Sequence, residues 1–219
     1  MRRTFDFHVN FDLATAAEEL QRCISHRFDR PAANWIESGL AVAQRVHAGQ
    51  SRGDGSPYVV HPVRVALLVL KYERRCSGEL VVACLLHDAL EDTDVKEKEI
   101  QTQFGPLVAQ YVSAVTRLRP VAETPEQRRD GKISKWNHIM NARREVRVIK
   151  TFDYCDNVIS WRFIAPGRPA FRKIPRWLFE AKTLYLPLAE VTNSDAARLL
   201  QSEIEYYISV GHKIGDWLL

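Results

Sequence analysis

His87 and Asp88 stand side by side in Leu85-Leu86-His87-Asp88-Ala89-Leu90-Glu91-Asp92, and Glu91 and Asp92 follow one turn later. With His87 at 0° on a helix, Glu91 falls at roughly 40°, Asp88 at roughly 100° and Asp92 at roughly 140°, so the four polar groups share one edge. The residues before them, Leu80 to Leu86, are almost all apolar, which predicts a helix buried on most sides. Carboxylates at the end of so apolar a segment need a compensating positive charge, because an unpaired buried charge is costly. A divalent cation would supply it.

Two other segments offer donors. His47 closes a helical stretch and enters a glycine-rich loop. Asp153 follows an apolar face formed by Val146, Ile149 and Phe152, and Asn157 lies four residues on, on a neighbouring face. Two imidazoles and two carboxylates make a mixed nitrogen and oxygen set that suits Mn²⁺, Fe²⁺ or Zn²⁺ better than Ca²⁺. Spacing alone does not bring three distant segments together, and each residue has a plainer structural role open to it. His87 fits a hydrogen-bonded core position, and His47 a helix end facing the dipole. Asp153 fits a partner for Lys150 or Arg147, and Glu91 with Asp92 the solvated end of a buried helix. His61 is read as opening a helix before Pro62, outside the metal set.

The elements that would position these groups are helical. Apolar residues recur at three and four over Phe11 to Phe28. Pro31 ends that helix or opens a turn, and Asn34 is the predicted cap of a second helix, Trp35 to His47. Residues 48–58 hold three glycines and a proline and read as a loop. A third helix runs from His61 to Tyr72, and Ser77 caps the central one. Helices follow over Val95 to Phe104, Pro106 to Leu118, Trp136 to Arg143 and Glu145 to Phe163. Residues 119–135 are charged and aperiodic and read as a mobile loop beside the site. Residues 165–176 are proline-rich and read as a break, before helices over Trp177 to Ala189 and Ser194 to Val210. The five tryptophans, Trp35, Trp136, Trp161, Trp177 and Trp217, are read as packing residues. No strand pattern or repeat is found, so the expected fold class is all-α.

The 219 residues fit one domain, or a domain with an appendage. The net charge of +4 is weak and scattered, which favours solvated surface over a nucleic-acid partner. No apolar run reaches the roughly 18 to 20 residues of a membrane span. The N-terminus lacks an apolar signal region. Four cysteines without paired spacing fit a reducing cytoplasm.

The ordered set of motifs resembles the HD-type hydrolase domain of the RelA/SpoT alarmone enzymes and of small stand-alone alarmone hydrolases. The matching pieces are His47-Ala-Gly-Gln50-Ser-Arg52, Gly55-Ser-Pro57-Tyr58-Val-Val-His61-Pro62, Leu85-Leu-His87-Asp88-Ala-Leu-Glu91-Asp92-Thr93, Phe104-Gly105, Val115-Thr116-Arg117-Leu118, and Val148-Ile149-Lys150 with Asp153 and Asn157. They cover about residues 35 to 163. The resemblance implies an HD-domain helical bundle with metal ligands His47, His87, Asp88 and Asp153, and Mn²⁺ as the usual metal. It implies that Glu91 and Asp92 position and activate the attacking water. Arg52 would pack on the guanine base, and Asn157 would contact the nucleotide near the ribose. The implied reaction removes pyrophosphate from the 3′ position of ppGpp or pppGpp, leaving GDP or GTP.

Three positions depart from the family pattern. Gly53 stands where a lysine or arginine is usual, Asp156 replaces a histidine and Ile159 a basic residue. They leave open another nucleotide substrate, NADPH included, or a module that keeps the metal without turnover. The expected organisation is an N-terminal helical extension over 1–34, the hydrolase core over 35–163 and C-terminal helices over 164–219. Leu184-Tyr185-Leu186-Pro187-Leu188-Ala189 resembles the segment after the core in longer members, and the expectation is a hydrolase without a synthetase domain. The protein would then act on a nucleotide, without nucleic acid or membrane, as the antidote to a separate alarmone synthetase.

Overall fold

The computed structural model describes residues 6–8, 12–117 and 122–215. Those residues form α1 (Leu13–Arg27), α2 (Arg30–Val46), α3 (Val60–Tyr72), α4 (Gly78–Leu86), α5 (Ala89–Asp92), α6 (Glu97–Phe104), α7 (Pro106–Val115), α8 (Pro125–Met140), α9 (Arg144–Ser160), α10 (Ile174–Glu180), α11 (Leu186–Glu190) and α12 (Ser194–Ser209). There is no strand among the described residues; one antiparallel bridge, Ser51 to Pro57, pins the loop after α2. The fold is all-α.

α4 is the axis of the bundle. It packs against α2, α3, α7 and α9, and every residue from Leu80 to Leu86 is buried. Ser77 caps it, accepting from the Leu80 N–H. The approach of α2 is close because Gly39 has no side chain. A Cβ there would lie 3.2 Å from Val82 Cγ1 and would force the two helices apart. α9 crosses the same core with Val148, Ile149 and Phe152 fully buried, and the Phe152 ring stacks on Tyr72 of α3. Residues from α1 through α12 contribute to one apolar cluster.

Several expected boundaries move, each for a local reason. The second helix begins at Arg30, because Asp29 caps it by accepting from the Ala32 N–H and Pro31 fits the first turn; Asn34 lies inside. Residues 125–135, expected as loop, are helical. Thr124 and Gln127 form a reciprocal capping box with Pro125 at the first position, and it starts α8. α8 lacked a clear apolar period because it docks through polar groups: Trp136 Nε1 donates to Leu184 O at 2.7 Å, and Lys132 pairs with Glu180. Residues 119–121 of that expected loop lie outside the described residues, as does Trp217. The break expected over 165–176 ends early, at a 3₁₀ turn over Phe171–Lys173. Farther on, a π turn over Ala181–Tyr185 interrupts the helical run before Pro187, whose nitrogen cannot donate to the preceding turn.

No helix among the described residues is long and apolar enough to cross a membrane. Because Phe152 is fully buried where α9 meets α3, Phe152→Ala should cost about 3–5 kcal/mol of stability. A urea unfolding curve checks this.

Candidate metal centre and adjoining clefts

His61 and His87 present Nε2 toward the Asp88 and Asp153 carboxylates, and in both, as in His47, Nδ1 is held elsewhere. His87 Nδ1 lies 2.8 Å from Cys84 O, a carbonyl that can only accept, so Nδ1 carries a proton and Nε2 is the nitrogen presented to the site. His47 Nδ1 lies 2.8 Å from Gln50 Oε1, and the Gln50 amide is fixed by donating through Nε2 to Asp92 O at 2.7 Å. His61 Nδ1 donates to Asp156 Oδ2 at 2.7 Å. The His47 and His87 side chains are buried, at 2% and 1% exposure, and neither Nε2 has a hydrogen-bond partner. Two buried imidazole nitrogens without a hydrogen-bond partner, one of them facing the Asp88 and Asp153 carboxylates, are what a divalent cation would bind by replacing the Nε2 proton of His87, so the donor chemistry fits one.

The carboxylates come from α9 and from the end of α4. Asp153 Oδ1 lies 3.1 Å from His61 Nε2 and 3.7 Å from His87 Nε2, and accepts from Asn157 Nδ2 at 2.6 Å. Asp153 Oδ2 pairs with Lys150 Nζ at 2.5 Å. Asp88 Oδ2 lies 3.2 Å from His87 Nε2 and 3.6 Å from His61 Nε2. His61, His87 and Asp88 offer donor atoms all within 4.8 Å of one another. His47 joins through Tyr58, whose ring stacks on it at 4.9 Å and whose hydroxyl lies 2.6 Å from Asp88 Oδ2 and 2.9 Å from Asp92 Oδ2. Burial would drive the proton off His87, but the Asp88 and Asp153 carboxylates outweigh it and raise its pKa to about 10. Burial would raise the pKa of both carboxyls, and the cationic groups around them hold both below the ordinary range. The field at the centre therefore favours a positive charge.

The helix does not run straight through the motif. It opens at His87 and Asp88, and α5 restarts at Ala89. Within α5 the acidic pair diverges, as neighbours on a helix do: Asp92 lies with Asp88 at the Tyr58 hydroxyl, while Glu91 Oε2 accepts from the Arg117 backbone N–H at 2.9 Å. Arg52 and Asn157 meet, with Arg52 Nη2 donating to Asn157 Oδ1 at 3.2 Å, so Asn157 links Arg52 to Asp153.

The departures resolve differently. Asp156 is fully buried and faces inward, held by Arg64 Nε at 2.5 Å, by His61 and by Arg52 Nη1 at 3.2 Å. Ile159 is also in the core. Only Gly53 faces a cleft, and a Cβ there would lie 3.0 Å from Ala170 Cβ, so the chain after α9 occupies the space of a side chain.

The sequence pattern offers Lys150 as a partner for Asp153, as found, but places His61 outside the metal set and assigns Tyr58 no role. His61 was assigned to a helix start because nothing local shows that Asp156, 95 residues away, fixes its ring. Tyr58 lies in a motif already noted, and its place beside Asp88 was the available signal.

Two clefts flank the centre. One, of about 370 Å³, is lined by Arg52, Gly53, Tyr58, His61, Asn157 and Trp177 among others. The second, of about 590 Å³, includes Glu91, Lys150, Asp153 and Asn157. Trp161 and Trp177 pack on each other at 5.5 Å and both line the first cleft.

With this geometry in hand, the relatives are informative. A family model described as an HD domain matches residues 39–190. The chain belongs to the HD-domain family. An HD domain implies a divalent metal, and the His and Asp cluster is where this one could hold it. A guanosine-3′,5′-bis(diphosphate) 3′-pyrophosphohydrolase from Aquifex aeolicus is 34% identical over 175 residues, 78% of this chain and 23% of that protein. One from Vibrio cholerae is 32% identical over 162 residues, 73% of this chain and 22% of that protein. The chain thus spans under a quarter of the length of these curated relatives. A solved structure of a metazoan ortholog of SpoT that hydrolyzes ppGpp superposes with a TM-score of 0.67 at 23% identity, covering 81% of this chain and 96% of that one, and shares the fold.

Removing Asp156 would strand Arg64 and His61 in the interior. Asp156→Ala should cost about 3–5 kcal/mol near pH 7. Arg64 and the neighbouring groups hold the Asp156 carboxyl below its ordinary range against burial. Its contribution is therefore present above the unfolded pKa of about 3.9 and lost as pH falls toward the depressed folded value. Urea curves of wild type and variant should converge as the pH is lowered below about 3.9.

Proposed function

We propose that this HD domain is a metal-dependent pyrophosphohydrolase of guanosine 3′,5′-bis(diphosphate) and related alarmones, releasing pyrophosphate and GDP or GTP. The observation that carries it is the buried His87 Nε2 beside Asp88 and Asp153, together with a second buried imidazole nitrogen, His47 Nε2, that has no hydrogen-bond partner. The printed activity of the similar Aquifex and Vibrio proteins supports the substrate class. We assign His47, His87, Asp88 and Asp153 to hold the cation, with Mn²⁺ as the preferred ion. When bound, the ion supplies a water acidic enough to act as hydroxide near neutral pH.

The chain's own groups do the rest. Gln50 and Cys84 O keep the two imidazoles in the tautomer that presents Nε2. Asp92, tied to Asp88 through Tyr58, takes the proton of the attacking water, and Glu91, at the edge of the larger cleft, orients that water. Burial first, then Asp88 and Asp92, raise the Tyr58 pKa far above its usual value, so it stays a phenol that can donate. Arg52 stacks its planar guanidinium on the purine, and Asn157 contacts the sugar from its position between Arg52 and Asp153. The four free cysteines support a cytoplasmic setting, where the protein would counter an alarmone synthetase.

Incubation with ppGpp and Mn²⁺ should give GDP and pyrophosphate, and chelator should stop it. Intact ppGpp from protein shown to hold metal would overturn the assignment. Asp88→Ala should lose both metal and turnover, whereas Glu91→Ala should keep stoichiometric metal and lose turnover by about 10²-fold or more. Loss of metal in Glu91→Ala would remove the role given to Glu91.

A further inference from the structure

The larger cleft carries a distribution of charge that the metal chemistry does not use. Its walls include Arg117, Arg128, Lys132, Lys135, Lys173 and Arg176, with Lys150 beside the Asp153 carboxylate, against only four acidic side chains. Those four are taken up by particular neighbours. Glu123 pairs with Arg117 at 2.6 Å and with Arg128 at 3.4 Å. Glu180 pairs with Lys132 at 2.6 Å and with Arg176 at 3.7 Å. Asp153 holds Lys150, and Glu91 accepts from the Arg117 backbone.

Two cations remain. Lys135 of α8, which feels the Glu91 carboxylate without a close ion pair to it, and Lys173, exposed just before α10, both line the cleft. Lys135 is half-buried; burial first and then the nearby Lys150 push its ammonium pKa down, and the Glu91 carboxylate offsets only part of this. Keeping such a cation beside other cations is unfavourable until an anion arrives. The cleft shares Asp153 and Asn157 with the metal centre, and Asn157 also lines the smaller cleft that holds Arg52 and Trp177. A ligand spanning all three would set a flat ring against Arg52 and one phosphate group at the metal, and would reach Lys135 and Lys173 with a further anionic arm.

We infer that Lys135 and Lys173 form a second phosphate subsite, which selects nucleotides bearing a phosphate chain in addition to the one that is cleaved. This rests on the pyrophosphohydrolase reading for the identity of the cleaved group, but the subsite itself is a property of the cleft. It makes phosphate load the specificity determinant and gives α8 a direct part in binding. The two residues are positioned to affect binding more than the chemical step.

The test separates the two readings. Inorganic tripolyphosphate is titrated by calorimetry into the intact protein, into the Lys135→Gln and Lys173→Gln variants and into the double variant, with metal content measured on each sample. Each single change should weaken binding about tenfold, the double change further, and the salt dependence should become shallower, with metal content unchanged. In parallel, KM and kcat are measured for guanosine 3′-diphosphates carrying one, two or three 5′ phosphates. The variants should raise KM about tenfold for the substrates with two and three and much less for the substrate with one, with kcat within about threefold. Unchanged tripolyphosphate affinity, or an equal KM rise for all three substrates, overturns the subsite. Weakened tripolyphosphate binding in a protein that hydrolyses no alarmone leaves the subsite standing and sinks the pyrophosphohydrolase reading instead.

Discussion

Asp153 has Lys150 on one carboxylate oxygen and His61, His87 and Asn157 facing the other, all in the interior of a helical bundle. Asp88 faces the same histidines from the end of α4. Two carboxylates this close and this buried repel each other, and the structure around them is arranged to hold that charge. Lys150 neutralises one side from within the same helix. The histidines complete the centre, and their Nδ1 contacts to Gln50, Asp156 and the Cys84 carbonyl fix which nitrogen each presents.

The scaffold is held mainly by apolar packing, with buried polar ties between particular helices. α4 is buried along its whole length, so the position of His87 is set by Leu80 to Leu86 and by the close approach of α2 at Gly39. α9 delivers Lys150, Asp153, Asp156 and Asn157 from a single helix whose other face is core. Behind the centre, the buried Arg64, Asp156 and His61 network ties α3 to α9. Polar groups in that network are satisfied by one another, which lets a charged layer sit against the core without destabilising it.

Much of this was legible in the sequence. The apolar run ending in His87-Asp88, the cap at Ser77 and the all-α class follow from local pattern, and those signals survive folding because α4 is buried by its own composition. What was hidden is non-local. The part of α8 before Trp136 was read as loop because it docks through polar groups such as Lys132 where periodicity looks for leucine. His61 was passed over because its partner is Asp156 on another helix. Asp156 itself looked like a loss of positive charge at the substrate, whereas it faces Arg64 in the interior. Glu91 and Asp92 looked like a pair because their partners, the Arg117 backbone and the Tyr58 hydroxyl, come from distant segments.

The most direct test of the account is where a metal binds. Crystals of the protein soaked in Mn²⁺ should give one strong anomalous peak bounded by His47 Nε2, His87 Nε2 and the carboxylates of Asp88 and Asp153. The same map would show whether His61 also reaches the ion. A peak confined to exposed carboxylates elsewhere, or none at fully soaked concentration, would contradict the claim that this buried cluster exists to hold a divalent cation.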